Sequence, residues 1–281
     1  SSGYYTCDRW KITLANSDGR LTMTQDTSAP SGFANSIKLE CTTADTSIAA
    51  DEQLRLNQRI EGQNLQGFAK GTSDAKPFAV SFYVKGNASA TYVCELADGD
   101  NSRQCSKTFN VTTDWTRVEL TFPADTTGAF DDDNANSLEF NIYLHAGSDR
   151  TSGTINSSSF ASTVTANRVG SGTTSFFDST ARTFFITGVQ LEVGQNPTSF
   201  EHINNFGEEL ARCQRYFQAW GSTQAVGAGT WYSASQVIAF MPFHQIMRDT
   251  PTMTTSGDNF AKVYTGSSNT KQVDDSSPFD L

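Results

Sequence analysis

Long apolar runs are missing from this 281-residue chain, and with them any stretch of the roughly 20 apolar residues that crosses a bilayer as a helix. No signal peptide is visible. Basic residues are scarce: 20 Lys and Arg face 30 Asp and Glu, for a net charge of −10. They form no basic patch with interleaved aromatics, so nucleic acid and anionic membranes are poor partners, because phosphate binding needs clustered Lys and Arg. The five cysteines contain no C-x-x-C pair, and the three histidines, His145, His202 and His244, are scattered, which argues against zinc. G-x-S-x-G, H-E-x-x-H, a phosphate loop and a Gly-rich dinucleotide turn are all absent, so catalysis is the minority expectation.

Apolar residues make up 37% and charged residues 18%, so the remainder is largely Ser, Thr, Asn, Gln and Gly, a balance typical of β-rich surface proteins. Short alternating segments recur: Arg9–Leu14, Arg20–Thr24, Ser36–Cys41, Leu54–Ile60, Pro77–Lys85, Ala90–Ala97, Lys107–Val111, Trp115–Phe122, Leu138–His145 and Phe184–Val193. Period-2 alternation puts one face of each strand in a core. Asn16-Ser17-Asp18-Gly19 between the first two predicts a hairpin. Ala90–Ala97 and Lys107–Val111 predict a pair across a polar loop. In Pro77–Lys85, Phe78, Val80, Phe82 and Val84 point inward and Tyr83 outward. Trp115, ahead of Val118 and Leu120, is assigned to the core. Many short strands with a late returning one predict an antiparallel jelly-roll β-sandwich over residues 1–200. Thr151–Ser179 is dominated by Ser, Thr, Asn and Gly, and is either a surface excursion or a functional loop.

Gly194 and Pro197 end the late strand, and a linking α-helix is expected over residues 201–220. Asn205 is its N-cap, with Glu208 placed to reach back as a capping box. Phe206, Leu210, Cys213 and Phe217 form an apolar stripe for domain packing or subunit contact. A small β region, 221–281, follows, with candidate strands at Trp231–Ser235, Gln236–Met241 and Ala261–Thr265. Its length of about 60 residues is small for an independent core, so neighbouring copies are expected to stabilise it.

The stretch from Gly188 to Glu201, G-x-Q-L-E-x-G-x-x-x-T-S-F-E, continues after a short gap into Gly207–Gln218, G-E-E-L-x-x-C-Q-R-Y-F-Q. Together they resemble a cassette of bacteriophage fibre, tail and other virion-appendage proteins. Met241-Pro242-Phe243, Met247-Arg248 and Thr250-Pro251-Thr252 resemble the segment that follows it, and Asp8-Arg9-Trp10 resembles the opening of the preceding sandwich. Gln58–Gly62, Gly71–Pro77, Ser81–Lys85, and Trp115 with Glu119 are similar to carbohydrate-binding, galactose-binding-like modules. The resemblance implies a virion protein, a homotrimer working with other virion proteins, and ligand contact through exposed aromatics and polar loops. The chain opens on Ser1, seven residues before Asp8, so an upstream segment is expected, and in a fibre protein that segment would be the natural place for an anchor.

The candidate sugar-stacking rings are Tyr83, Tyr92, Tyr143, Trp231 and Tyr232. Asp131, Asp132 and Asp133, with Asn134, are the densest oxygen-ligand cluster, either a structural calcium loop or a solvated acidic turn. Asp98, Asp100 and Asn101 form a weaker candidate of the same kind. No other cofactor is expected. Glu95, Glu119, Glu139 and Glu192 are the strand carboxylates from which a glycosidase pair would come. Cys94 and Cys105 either bridge a hairpin or stay reduced, the reduced state being favoured in a cytosol; Cys213 is a small buried residue of the helix. The sequons at Asn87, Asn110 and Asn156 are what a Ser/Thr-rich chain produces by chance. The expected function is attachment to a host-surface glycan by multivalent binding. The alternatives are a purely structural head- or tail-associated protein and a glycan depolymerase.

Overall fold

A computed structural model describes residues 3–4, 10–202, 205–220, 229–231, 237–239, 242–252, 261–264 and 270–273. The chain divides into two compact units, Ser1–His202 and Ile203–Leu281.

The first unit is a jelly-roll β-sandwich. Its strands are β1 (Gly3–Tyr4), β2 (Trp10–Ala15), β3 (Arg20–Asp26), β4 (Ser36–Thr43), β5 (Gln53–Glu61), β6 (Phe78–Gly86), β7 (Ala90–Asp98), β8 (Arg103–Val111), β9 (Thr116–Phe122), β10 (Asn136–Ala146), β11 (Ala161–Ser162) and β12 (Thr183–Val193). One sheet has the order β1-β2-β5-β10-β7-β8-β11 and the other β3-β4-β12-β6-β9. Every pairing is antiparallel. The inward residues of the alternating strands meet between the sheets: Ile12, Leu39, Leu54, Leu56, Phe78, Val80, Phe82, Val84, Leu138, Phe140, Ile142, Phe184 and Ile186 are all essentially inaccessible. Phe82 meets Phe109 and Phe140 edge-on, at 5.1 and 6.3 Å between ring centres. That geometry is favoured by the ring quadrupoles.

Asn16–Gly19 is not a hairpin. β2 pairs with β5 and β3 with β4, so this turn carries the chain from one sheet to the other. Asp45 explains the difference. Its Oδ2 accepts from the Ser17 hydroxyl at 2.9 Å and from the Asp18 and Gly19 N–H groups at 2.8 and 3.3 Å. Ser47 N–H donates to Oδ1 at 3.2 Å. Desolvation raises the carboxyl's pKa, but these four donors outweigh it and hold the group below its ordinary value. A Cβ on Gly19 would sit 2.4 Å from the Phe177 ring, so the turn packs on the core. A two-residue signal cannot report a partner 26 positions away.

The polar stretch Thr151–Ser179 also departs from a plain excursion. It carries four buried anchors, Phe160, Val169, Phe176 and Phe177, the last two with no accessible surface. Phe177 meets Phe176 at 5.7 Å and the His145 ring at 5.2 Å. His145 is clamped in turn: Nε2 to Glu52 Oε2 at 2.9 Å and Nδ1 to Ser175 Oγ at 2.8 Å. A one-turn helix, α1 (Ser148–Thr151), leads into the segment, which adds the short β11 on the edge of the larger sheet. A few aromatics thus tie down a stretch whose average composition reads as solvent-facing.

Cys94 and Cys105 are free, buried thiols. They are offset: Cys94 lies opposite Lys107 and Cys105 opposite Leu96. Burial pushes both thiols up, Cys105 to about 11. Cys41 is buried and free as well.

In the second unit, α2 (Phe206–Gln214) precedes the hairpins β13 (Gly229–Trp231) with β14 (Val237–Ala239) and β15 (Ala261–Tyr264) with β16 (Thr270–Val273). Asn205 caps α2, its Oδ1 accepting from Gly207 N–H at 3.0 Å. Glu208 Oε1 accepts from the Asn205 side-chain amide at 3.4 Å, so the cap closes side chain to side chain. Along the stripe assigned to domain packing or subunit contact, Phe206 is 81% and Phe217 72% exposed, Leu210 is exposed and Cys213 half-buried. Past the helix, Gln218 donates to Gln245 O at 2.8 Å and accepts from His244 N–H at 2.8 Å, while Arg248 N–H donates to Arg215 O at 2.9 Å. Trp220 packs on Phe243 at 5.7 Å. The Gly207–Gln218 half of the cassette and the segment that follows it are therefore joined by hydrogen bonds.

Replacing Phe177 by Ala is expected to cost about 3–5 kcal/mol, as for other fully buried rings. Thermal unfolding followed by near-ultraviolet circular dichroism will show the midpoint falling by roughly 6–20 °C.

Candidate functional site

Alternation that sends Val80, Phe82 and Val84 of β6 inward sends Ser81, Tyr83 and Lys85 outward. On β12 the outward residues are Phe185 and Thr187 and, past a register shift, Gln190 and Glu192. On β9 they are Arg117, Glu119 and Thr121. Pairing arranges them in rows across the smaller sheet. Phe185 lies between Lys38 and Lys85, Tyr83 between Thr187 and Arg117, and Ser81 between Gln190 and Glu119.

Rings cluster along this face. Trp115 meets Phe185 edge-on at 6.2 Å, with Lys85 Nζ 6.0 Å from the Trp115 ring centre and 5.5 Å from that of Phe185. Lys38 Nζ stands 5.9 Å over Phe185. Phe33 packs on Tyr83 at 5.2 Å and on Phe200 at 5.0 Å. All five rings are half-buried, held by the sheet yet reachable from solvent. The ammonium groups over ring faces fix these side chains against the sheet. Apolar ring surface interleaved with Lys, Arg, Ser, Thr, Gln and Glu suits a ligand that has both C–H faces and many hydroxyls.

Trp115 is therefore not a core residue. The parity was readable: Val118, Leu120 and Phe122 fix the inward register of β9, and Trp115 is out of phase with all three. Phe33, Phe185 and Phe200 were missed as candidates. Phe185 follows from the same parity rule, but Phe33 and Phe200 lie on loops with no periodic signal.

The Gly188–Glu201 cassette builds the rim of this face. Gly188 adopts φ +59°, and a Cβ there would lie 2.7 Å from the Phe33 ring, so glycine admits that ring against the strand. After Gly194 the chain turns back over the sheet. Glu192 accepts from Thr198 N–H at 2.7 Å and from its hydroxyl at 2.9 Å. Gln190 donates to Thr198 Oγ1 at 3.0 Å and accepts from Glu201 N–H at 2.9 Å. Arg117 binds Glu119 and the Thr198 carbonyl, and Thr121 donates to Gln195 O at 2.5 Å. The cassette is a strap whose polar residues grip one another and whose Phe200 seats on Phe33.

On the opposite face, on the larger sheet, residues from 147–172 roof part of β7, β8 and β10, with Val169 and Ile155 packed on Val93 and Tyr143. Arg168 reaches from this roof to Glu95, with nitrogen–oxygen distances of 2.8 and 2.6 Å. Burial opposes charge on Arg168, but its hydrogen bonds to Glu95 outweigh that and raise the guanidinium pKa. Asn141 donates to the same Glu95 at 3.0 Å. Arg55 and Arg59 both bind Glu139, at 3.0 and 3.1 Å. Glu95 and Glu139 are thus committed to ion pairs on this face, and Glu119 and Glu192 to Arg117 and the strap on the other.

Tyr143 and Tyr92 do not offer rings for stacking. Tyr143 is 1% exposed and lies under the guanidinium carbons of Arg168 and Arg55, at 5.6 and 5.9 Å. Tyr92, also 1% exposed, packs on Phe109 and Phe184 inside the core. Burial raises both phenols, Tyr143 to about 12. Tyr92 pairs in register with Phe109, which places it inward, and Tyr143 is covered by a loop that strand parity does not reveal. Tyr83 is on the open face. The Trp231 side chain and Tyr232 lie outside the described residues.

Asp131, Asp132 and Asp133 are exposed. Asp133 accepts from Ala135 N–H at 2.8 Å, closing a local turn, and Asp131 N–H donates to Asp100 at 3.0 Å. Among the described residues, no three His, Cys, Asp or Glu side chains gather as metal ligands. No helix among them is long and apolar enough to cross a membrane.

Desolvation raises the Glu192 pKa, but the Thr198 and Gln190 hydrogen bonds and the Arg117 charge outweigh it and hold the carboxyl below its ordinary 4.5. A depressed carboxyl contributes stability above its unfolded value, and that contribution is lost as the pH falls through the folded one. Backbone hydrogen exchange at Thr198 and Glu201 is therefore expected to accelerate below pH 4.5 relative to the sheet. Glu192→Gln should show that acceleration already at neutral pH.

No protein-family model matches the chain, and no curated protein matches it. Among solved structures, the chain is similar to a CBM4 structure, at 13% identity over 68% of this chain and 88% of that one, with a TM-score of 0.37. It is also similar to the family 11 carbohydrate-binding module from Clostridium thermocellum in complex with a β-1,3-1,4-mixed-linked tetrasaccharide. That match is 10% identical over 67% of this chain and 91% of the other, with a TM-score of 0.34. A third similar structure is the enzymatically active domain of tailspike protein 4 of bacteriophage CBA120, at 14% identity and a TM-score of 0.38, matched over 66% of this chain but 19% of that one.

Proposed function

We propose that the chain is a non-catalytic, glycan-binding part of a bacteriophage virion appendage, and that the outer face of the five-stranded sheet is where it binds. The observation that carries this reading is the strip of half-buried rings, Trp115, Phe185 and Tyr83, set among Lys38, Lys85, Arg117, Ser81 and Gln190 on a rigid sheet. Ring faces take up the C–H side of a sugar, and the surrounding donors and acceptors take its hydroxyls. Such contacts are weak singly and become useful when repeated copies engage one surface.

The virion assignment draws on the resemblance of the Gly188–Glu201 and Gly207–Gln218 cassette to fibre and tail proteins. The exposed stripe of Phe206, Leu210 and Phe217 supports assembly, which we take to be a homotrimer alongside other virion proteins. The same stripe favours the second reading, a purely structural virion protein without a host ligand.

Binding of the assembled chain to host-cell polysaccharide and an oligosaccharide panel, followed by calorimetry, separates the two. Tyr83→Ala and Trp115→Ala are each expected to weaken binding at least tenfold, about 1.4 kcal/mol, with little change in thermal midpoint. No binding by an assembled sample would leave the structural reading, and release of new reducing ends would overturn both.

A further inference from the structure

We propose that Lys70 is the built-in structural cation of this fold, occupying an oxygen cage that takes a calcium-class divalent ion once the ammonium is removed. The Lys70 side chain has no accessible surface. Its Nζ lies 2.5 Å from Asp98 Oδ2, 3.2 Å from Asp125 Oδ2, 2.9 Å from Thr127 O and 2.6 Å from Gly128 O. An ammonium has three N–H bonds, and four oxygens converge on this one. Two carboxylate and two carbonyl oxygens around one point are the ligand set of a hard divalent cation, which fills its remaining positions with water. The fifth side of the cage is the Phe130 ring, its centre 5.1 Å from Nζ.

The cage joins three separate segments. Asp98 ends β7, and Asp125, Thr127 and Gly128 belong to the connection between β9 and β10. Lys70 is brought in by a short 3-10 turn, Gln66–Phe68, flanked by left-handed Ala69 (φ +46°) and Gly71 (φ +82°). Gly71 N–H donates to Asp125 O at 2.9 Å, and a Cβ on Gly71 would lie 2.4 Å from Ala129 N, so the approach admits glycine alone. Arg103 pins Asp125 from the other side at 2.7 and 2.9 Å. Asn101 N–H holds Asp98 Oδ1 at 3.0 Å. These contacts keep the carboxylates in place without help from Lys70. Two cations face two carboxylates, so loss of Lys70 leaves one uncompensated buried negative charge, which is costly by itself and attracts a cation.

The cage lies close to the exposed Asp131–Asp133 loop in sequence, yet uses none of its carboxylates. A lysine in this place makes the sandwich independent of metal supply. This inference stands apart from the glycan reading.

The test is thermal unfolding of the full chain in EDTA and in about 5 mM calcium, with terbium luminescence as a direct binding readout. The unaltered chain is expected to keep one midpoint in both conditions. Lys70→Ala should unfold at a lower temperature in EDTA, recover much of the loss in calcium, and bind one terbium ion. Lys70→Met should be destabilised and insensitive to calcium, because its side chain still fills the space. Should Lys70→Ala be recovered only unfolded, refolding in calcium and in EDTA decides: recovery with calcium alone supports the cage, and equal failure in both overturns it. A calcium response in the unaltered chain, or none in folded Lys70→Ala, would also overturn it.

Discussion

The two faces of β12 are the constraint on which the rest of the first unit depends. A strand must send consecutive side chains to opposite sides. Here Phe184 and Ile186 go to the core, while Phe185 and Thr187 go to the open face. The strand sits at the centre of its sheet, paired with β4 on one side and β6 on the other, so its register sets theirs. One-residue slippage would bury the polar set and expose the apolar one, a penalty that fixes the pairing. The irregularity near Gly188 is where this strand departs from simple alternation, and it is where Phe33 enters. Core and candidate site are thus two consequences of one strand.

The same economy explains the cassette. A sequence signature invites a search for chemistry, yet its Gln, Glu and Thr residues are spent on one another. Glu192 and Gln190 on the strand grip Thr198 and Glu201 on the return, and Phe200 closes on Phe33. Polar side chains that satisfy each other near a surface contribute modestly to stability; what they do well is fix a path for the chain. The strap sets where the first unit ends and shapes one edge of the ring-bearing face.

Three buried polar clusters in this sandwich are each held by several segments at once. Lys70 joins the β7 end to the β9–β10 connection, Arg168 joins the roof to Glu95 on β7, and His145 joins β10 to Glu52 and Ser175. Desolvation makes such pairs weak sources of net stability, but breaking one partner leaves the other stranded, which is strongly unfavourable. They act as registration devices for long connections, and the larger sheet's outer face is partly covered through one of them.

Much of the sandwich was legible in the chain, because hydrophobic alternation is a local consequence of the pleat. Ten alternating segments coincide with strands of the first unit, and the outward position of Tyr83 followed from Phe82 and Val84. Parity alone also contained the outward position of Trp115, although proximity to an apolar strand pointed the other way. Pairing was legible for one hairpin, Ala90–Ala97 with Lys107–Val111, but not for the first turn: Asp18-Gly19 has the local chemistry of a hairpin, and contacts to Asp45 and Phe177 accompany a crossing instead. The burial of Tyr143 under Arg168 and the oxygen cage around Lys70 depend on loops whose sequence carries no period. Alternation and composition by themselves determined that this protein is a β-sandwich with polar connections. Pairing beyond that hairpin, roofing and the meeting of distant charges were decided by tertiary structure, because they arise from contacts between segments far apart in sequence.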